Sequence, residues 1–204
     1  MVTKIKSLYG LVLTGGKSTR MKIDKASLEF HGKKQSVVCY ELLDKFCEQV
    51  FISNRQEQEN IEGQRNYPQI HDQAPFLDIG PLGGILSAMT THPKVDWLVL
   101  ACDLPFINDA VIENLIKSRN PKKVATAYIS AHDSLPEPLC AIYEAHSFPT
   151  LKAHLNSGKS CPRKFLINAE VELLKPVDTK ALDNINNPNE YQEALSTLKK
   201  HHAA

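Results

Sequence analysis

Leu8-Tyr9-Gly10-Leu11-Val12-Leu13 runs straight into Thr14-Gly15-Gly16-Lys17-Ser18-Thr19-Arg20-Met21 and then Asp24-Lys25. Leu8 to Leu13 is an apolar run broken by one Gly, which suits a strand covered on both faces. It stops at a Gly pair, where a backbone without side chains can approach an anion and turn its N–H groups into a concave site. Cations follow, Lys17, Arg20 and Lys25 among them. Buried strand, Gly turn and cations together describe a polyphosphate cradle; the plainer alternative is a strand-to-helix turn with solvated Lys and Arg. Gly16-Lys17-Ser18 looks like the end of a Walker A loop. That motif would need Gly at position 11, where Leu11 stands, so a P-loop NTPase is rejected.

Working outward, the same alternation returns. A short strand and turn is expected over Leu28 to Lys34, a helix from Gln35 or Ser36 with Val38, Leu42 and Phe46 four apart, and a strand over Gln49–Ser53 ending at Asn54-Arg55. A polar helix is expected over Gln56–Glu62, then a strand end at Gln69–Asp72. Gly80-Pro81-Leu82-Gly83-Gly84-Ile85 opens a helix with Pro81 in the first turn. Leu82, Ile85, Leu86 and Met89 give that helix a core face, and Gly83 and Gly84 are read as letting a ligand approach its backbone. Val95 to Ala101 is the strongest strand, apolar on both faces and therefore central and parallel; it ends in Cys102-Asp103-Leu104-Pro105. Asn108 or Asp109 caps the next helix, and Val124–Tyr128 is another strand. Leu135–Tyr143 reads as extended, Ser147–Leu155 as a helix, and Glu170–Val177 as a strand. Asn187-Pro188-Asn189-Glu190 caps a last helix that turns Tyr191, Leu195 and Leu198 inward.

Strands alternating with helices predict an α/β fold with a mostly parallel central sheet and helices on both faces, three layers in all. Ligands of such sheets sit beyond the carboxyl ends of strands. The Gly loop, Asn54, Asp72 and Asp103 all fall there. Asp103 is the candidate Mg²⁺ carboxylate, since Mg²⁺ takes one or two carboxylates plus phosphate oxygens and water; the alternative is a turn or capping role.

At 204 residues the chain fits a single domain, 1–204, and its formal net charge of +1 gives no electrostatic case for nucleic acid or membrane. No apolar run is long enough to span a bilayer and the N-terminus lacks the apolar core of a signal peptide. Five scattered cysteines, none in a C-x-x-C pair, argue for a reduced, cytoplasmic protein. The eight histidines show no metal-ligand spacing.

The first loop is similar to the Leu-x-Gly-Gly-x-Ser-x-Arg-Met-(Gly)-x-Asp-Lys signature of nucleotidyltransferases, and most similar to the MobA-like family of molybdenum cofactor guanylyltransferases. Lys22 stands where that family usually has Gly. Gly80-Pro81-Leu82, Asp103-Leu104-Pro105, Glu137-Pro138-Leu139 and Asn184-Ile185-Asn186 follow in the family's order, so the resemblance covers nearly the whole chain. It implies a Rossmann-like nucleotidyltransferase fold, Mg²⁺ dependence, and transfer of GMP from GTP to the phosphate of molybdopterin with loss of pyrophosphate. By position, Leu13, Gly15 and Gly16 would lie on the nucleotide. Arg20 and Lys25 would neutralise phosphate charge, Lys25 at the α-phosphate or leaving group. Asn54 and Asp72 would lie on the nucleoside side and Asp103 on Mg²⁺. The resemblance places the acceptor against roughly 135–200. There Arg163, with Lys164 beside it, would hold the pterin phosphate or be a surface charge. Asn184 and Asn186 would close the site, or be loop amides bonding local backbone. Transient contact with cofactor-delivery proteins or molybdoenzymes follows from the same resemblance. Other readings are cytidylyl transfer to the same pterin, nucleotidylation of a sugar phosphate, and a non-catalytic nucleotide-binding protein on this fold.

Overall fold

The computed structural model describes residues 5–14, 28–30, 32–56 and 63–202. In chain order these form β1 (Ile5–Leu13), β2 (Glu29–Phe30), β3 (Lys33–Lys34), α1 (Gln35–Asp44), β4 (Cys47–Asn54), β5 (Gln69–His71), α2 (Pro81–Thr91), β6 (Asp96–Ala101), α3 (Asp109–Lys117), β7 (Ala125–Ile129), β8 (Pro136–Tyr143), α4 (Phe148–Asn156), α5 (Pro162–Ile167), β9 (Val171–Leu174) and α6 (Pro188–His202). The helix expected over 56–62 lies outside the described residues, apart from Gln56.

Seven strands make one sheet in the order β5-β4-β1-β6-β8-β7-β9. β1 pairs in parallel with β4 and β6, β4 with β5, and β7 with β9. β8 alone among them runs the other way, antiparallel to both β6 and β7. The mostly parallel α/β sheet expected from the sequence is thus present, with one reversed strand where only an extended segment was expected. β6 is central, as expected, yet parallel to a neighbour on one side only.

Alternation along β6 divides the core. Leu98, Leu100 and Cys102 face one side, where Leu8, Val12, Ile52 and Ile142 meet Cys39, Leu42 and Leu43 of α1 and Val111, Ile112 and Leu115 of α3. Trp97 and Val99 face the other, where Leu11, Leu13, Ala141 and Tyr143 meet Leu82, Ile85, Leu86 and Met89 of α2, with Leu151 of α4 and Phe165 of α5. Burying side chains on both faces of one sheet requires the apolar runs that β1 and β6 carry. A third, smaller core joins Leu28, Phe30, Ile185 and Ala194, with Tyr191, Leu195 and Leu198 packed on it. Those last three are the residues α6 was expected to turn inward. The Tyr191 hydroxyl donates to the Glu29 carbonyl at 2.9 Å, so α6 holds the β2–β3 hairpin.

The helix ends follow their sequence signals. The Asn108 side chain accepts from the Val111 N–H at 3.2 Å. Asn187 accepts from the Glu190 N–H at 3.0 Å while Glu190 reaches back to the Asn186 N–H at 2.6 Å, a reciprocal cap. At the end of the sheet away from the loop cluster, Arg119 bridges Glu144 and Asp96 at 2.6 and 2.5 Å. The Glu144 carboxylate is 2 % exposed, and burial raises its pKa in spite of the guanidinium.

Candidate functional site at the strand ends

Four strands end together. Leu13 stands opposite Ser53 on one side and Ala101 on the other, and Asn54 opposite His71. The ladder continues one step beyond: the Thr14 N–H donates to the Ser53 carbonyl and the Cys102 N–H to the Leu13 carbonyl, both at 3.1 Å. The Asp72 N–H donates to the Asn54 carbonyl at 3.1 Å. Thr14, Asn54, Asp72 and Asp103 are therefore brought to one edge. Thr14, the residue before the Gly pair, is fixed there twice, since its hydroxyl also reaches the Ser53 carbonyl at 2.9 Å. Gly15, Gly16, Arg20, Lys22 and Lys25 lie outside the described residues; the strand that leads into them ends beside the one that carries Asp103.

Asp103 is buried, at 5 % exposure. Its backbone carbonyl accepts from the Ile185 N–H at 2.9 Å, which lays the segment Asn184–Asn186 against it. The Asn186 side chain donates to the Asn184 side-chain oxygen at 3.0 Å. Asn184 and Asn186 thus flank the residue bonded to Asp103, and their two amides hold each other.

A cavity of about 90 Å³ connects this edge to the far half of the chain, lined by Asp103, Glu137, Leu139, Arg163, Leu182 and Asn184. Arg163 lines it and is held by two carboxylates, Asp133 and Glu137, each at 2.8 Å. Its charge is already answered, so it differs from a bare anion receptor. In sequence Glu137 entered only through the Glu137-Pro138-Leu139 motif of the resemblance, with no role of its own.

At the ends of β4 and β5 Asn54 is 1 % exposed and its carboxamide is engaged at both ends, to Gln69 at 2.6 Å and His71 at 2.7 Å. Gln69 and His71 occupy alternate positions of β5 and so lie on one face beside β4. An open cleft beyond them is lined by Gln56, His71, Asp72, Gln73, Leu77 and Thr91.

One expectation changes. Gly83 and Gly84 do not make room for a ligand. A Cβ on Gly83 would collide with the Phe76 carbonyl oxygen, and one on Gly84 with the Ser53 hydroxyl and with Leu13 Cδ2, 2.8 Å away. Gly84 lets α2 lie directly on the ends of β1 and β4, and Gly83 lets its first turn close on the preceding loop at Phe76 and Ile79. Gly80, at φ 71° and ψ −152°, is the position whose backbone requires glycine. Arg163 lies in the first turn of α5, which Pro162 starts.

Cys39 and Cys102 are buried beneath Asp103, with Cys140 in the same core. Burial pushes the Cys140 thiol up to about 12 and Cys39 well above its usual value, so neither offers a thiolate. Among the described residues no group of three or more His, Cys, Asp or Glu side chains could hold a metal ion. The donor set at Asp103 is one carboxylate with nearby amide oxygens. That fits Mg²⁺ bound jointly with substrate phosphates and does not fit a dedicated metal cage. No described helix is long and apolar enough to cross a membrane.

The chain resembles known proteins over most of its length. It is 41% identical over 184 residues to a molybdenum cofactor biosynthesis bifunctional protein of Synechocystis, covering 90% of this chain and 52% of that protein, so it spans about half of that relative. It is 30% identical to a probable molybdenum cofactor guanylyltransferase of Clostridium perfringens, covering 90% of this chain and 94% of that one. The crystal structure of molybdopterin-guanine dinucleotide biosynthesis protein A from Archaeoglobus fulgidus shares the fold at TM-score 0.77 and 24% identity, over 94% of this chain and 99% of that one. With the model of the MobA-like NTP transferase domain matching residues 10–173, the chain belongs to that family.

Proposed function

We propose that this chain is a guanylyltransferase that moves GMP from GTP to the phosphate of molybdopterin. What carries the reading is the convergence at one sheet edge: the strand entering the Gly loop, Asn54, Asp72 and the buried Asp103, with Asn184–Asn186 bonded across Asp103. The guanylyltransferase relative's name supplies the base, and both relatives' names point to the molybdenum cofactor.

An acceptor phosphate oxygen forms a bond to the α-phosphorus of GTP, the bond from that phosphorus to the α,β-bridging oxygen breaks, and pyrophosphate leaves with the electron pair. The protein's share is positioning and charge neutralisation. Mg²⁺, held by Asp103 and phosphate oxygens, would neutralise charge on the α-phosphate and the leaving group. Leu13, Gly15 and Gly16 receive the nucleotide, Arg20 and Lys25 take phosphate charge, and Asn54 and Asp72 hold the nucleoside side. Asp103, Arg20 and Lys25 form the catalytic set. The cavity of Arg163 and Asn184, with Asn186 beside it, receives the acceptor, so 1–204 works as one domain with the acceptor side in its last third. Its cysteines are free thiols, which suits the cytoplasm. Contact with proteins that deliver the pterin or receive the product belongs to the same reading.

The test is incubation with Mg²⁺ and GTP or CTP, each with molybdopterin or a sugar phosphate as acceptor, following pyrophosphate. Release with GTP and its loss in a folded Asp103→Ala variant are expected. Release with CTP alone would move the assignment to cytidylyl transfer, and unchanged turnover of Asp103→Ala would remove Asp103 from the mechanism.

A further inference from the structure

The carboxamide of Asn54 belongs to a hydrogen-bond chain whose direction can be worked out from one unambiguous end. Gln69 Nε2 lies 3.3 Å from the Gln64 backbone carbonyl, which can only accept, so the Gln69 amide nitrogen points there. Gln69 Oε1 then faces Asn54 Nδ2 at 2.6 Å, and Asn54 Oδ1 faces His71 Nδ1 at 2.7 Å. Oδ1 has no proton to give, so Nδ1 of His71 carries one. In the neutral ring Nε2 is left as an acceptor. His71 is at the end of β5, half-buried, on the wall of the cleft with Asp72 and Gln56.

We propose that His71 is a specificity-determining residue of the nucleotide site: its Nδ1–H fixes the Asn54 carboxamide, and its Nε2 presents an acceptor to a hydrogen-bond donor of the nucleoside. The inference rests on the guanylyltransferase reading, which puts the nucleoside beside Asn54 and Asp72. A neutral imidazole in this tautomer selects for a donor and against a second acceptor at the same point, because an acceptor facing an acceptor leaves both unpaired. In GTP the donor is either the ribose 2′-hydroxyl or the 2-amino group of guanine. The two share one chemistry and are separated by analogues that lack one or the other.

The experiment compares wild-type protein with His71→Ala and His71→Gln in steady-state guanylylation, using GTP, 2′-deoxy-GTP and ITP, with a thermal melt of each variant. His71→Ala is expected to raise KM for GTP about tenfold, the loss of one good hydrogen bond, with kcat within about twofold. The penalty that wild type shows for one of the two analogues should vanish in His71→Ala. His71→Gln, whose amide reaches the position of Nε2, should recover part of the affinity. A merely structural role would lower kcat and the melting temperature together and leave the analogue penalties in place, and that result overturns the inference. Wild type that binds GTP beside a His71→Ala variant of equal KM overturns it as well, and leaves the guanylyltransferase reading standing. Wild type that binds no GTP overturns both.

Discussion

Replacing Gly84 by Ala separates two accounts of the Gly pair in α2, because they predict opposite signs. In an exposed helix interior the change gains about 1 kcal/mol of helix propensity. If Gly84 served ligand approach, that gain would appear as added stability with weaker nucleotide binding. The structure puts the new methyl group against the Ser53 hydroxyl and 2.8 Å from Leu13 Cδ2. Leu13 is 6 % and Ser53 3 % exposed, so neither has open space to move into. Overpacking of this kind costs about 1–3 kcal/mol. With the contact so close we take the upper half of that range and subtract the propensity gain, leaving a net loss of about 1–2 kcal/mol. At about 2–4 °C per kcal/mol for a domain of this size, the melting temperature should fall by about 2–8 °C. Urea denaturation gives the same quantity at constant temperature. Adding Ser53→Ala removes one of the two colliding atoms, so the double variant should recover part of the loss, and the cycle should show coupling between positions 53 and 84. Gly83→Ala meets a backbone carbonyl that cannot rotate away and should cost more than Gly84→Ala. A Gly84→Ala protein about 1 kcal/mol more stable than wild type would refute the packing account.

Asp103→Asn should keep the fold and lose turnover by a factor of at least about 100, as expected when charge stabilisation at the reacting phosphate is removed; pyrophosphate release and circular dichroism check the two halves. Arg119→Met leaves the Glu144 carboxylate buried without its partner and should cost about 3–5 kcal/mol in denaturant. Because burial already raises the Glu144 pKa, that deficit should be largest above the carboxylate range and shrink as acid protonates the group. His132 is raised above its ordinary 6.5 by the hydrogen bond and then the charge of Asp183, 2.8 Å away. Its contribution to stability is therefore present below that value and fades as pH rises through the folded-state value, and Asp183→Asn should return the His132 titration, followed by NMR, toward 6.5.

Local rules were enough wherever one element declares itself. β1 and β6 are apolar on both faces because each is covered twice, and Asn108 and Asn187 cap because their side chains can reach the third N–H beyond. The reversal of β8 was also open to inference: only residues 130–135 separate β7 from β8, too few for a parallel crossover of about a dozen. Helix α5 had its sign in Pro162, with Phe165 and Leu166 one turn on. The use of Gly83 and Gly84 could not be read, because propensity says only that glycine is costly in a helix and not which surface demands it. Nor could the chain from Gln64 to His71. Its members come from two strands and a turn, and they meet only through the register that sets Asn54 opposite His71.

The same limit applies to the segment around Ile185, whose asparagines read in sequence either as closing the site or as loop amides and which is bonded to Asp103 in space. Ile185 has two functions that no local pattern joins. Its side chain lies in the small core with Leu28 and Phe30, where the chain returns from the stretch that follows Thr14. Its N–H donates to the Asp103 carbonyl. Leu28 and Phe30, the candidate metal carboxylate and the flanking Asn184 and Asn186 are thus held through one residue, with α6 packed behind it. Such a link makes the position of Asp103 depend on burial some 80 residues further along the chain. Truncating the Ile185 side chain should therefore disturb the site through packing, without removing any group that touches a substrate.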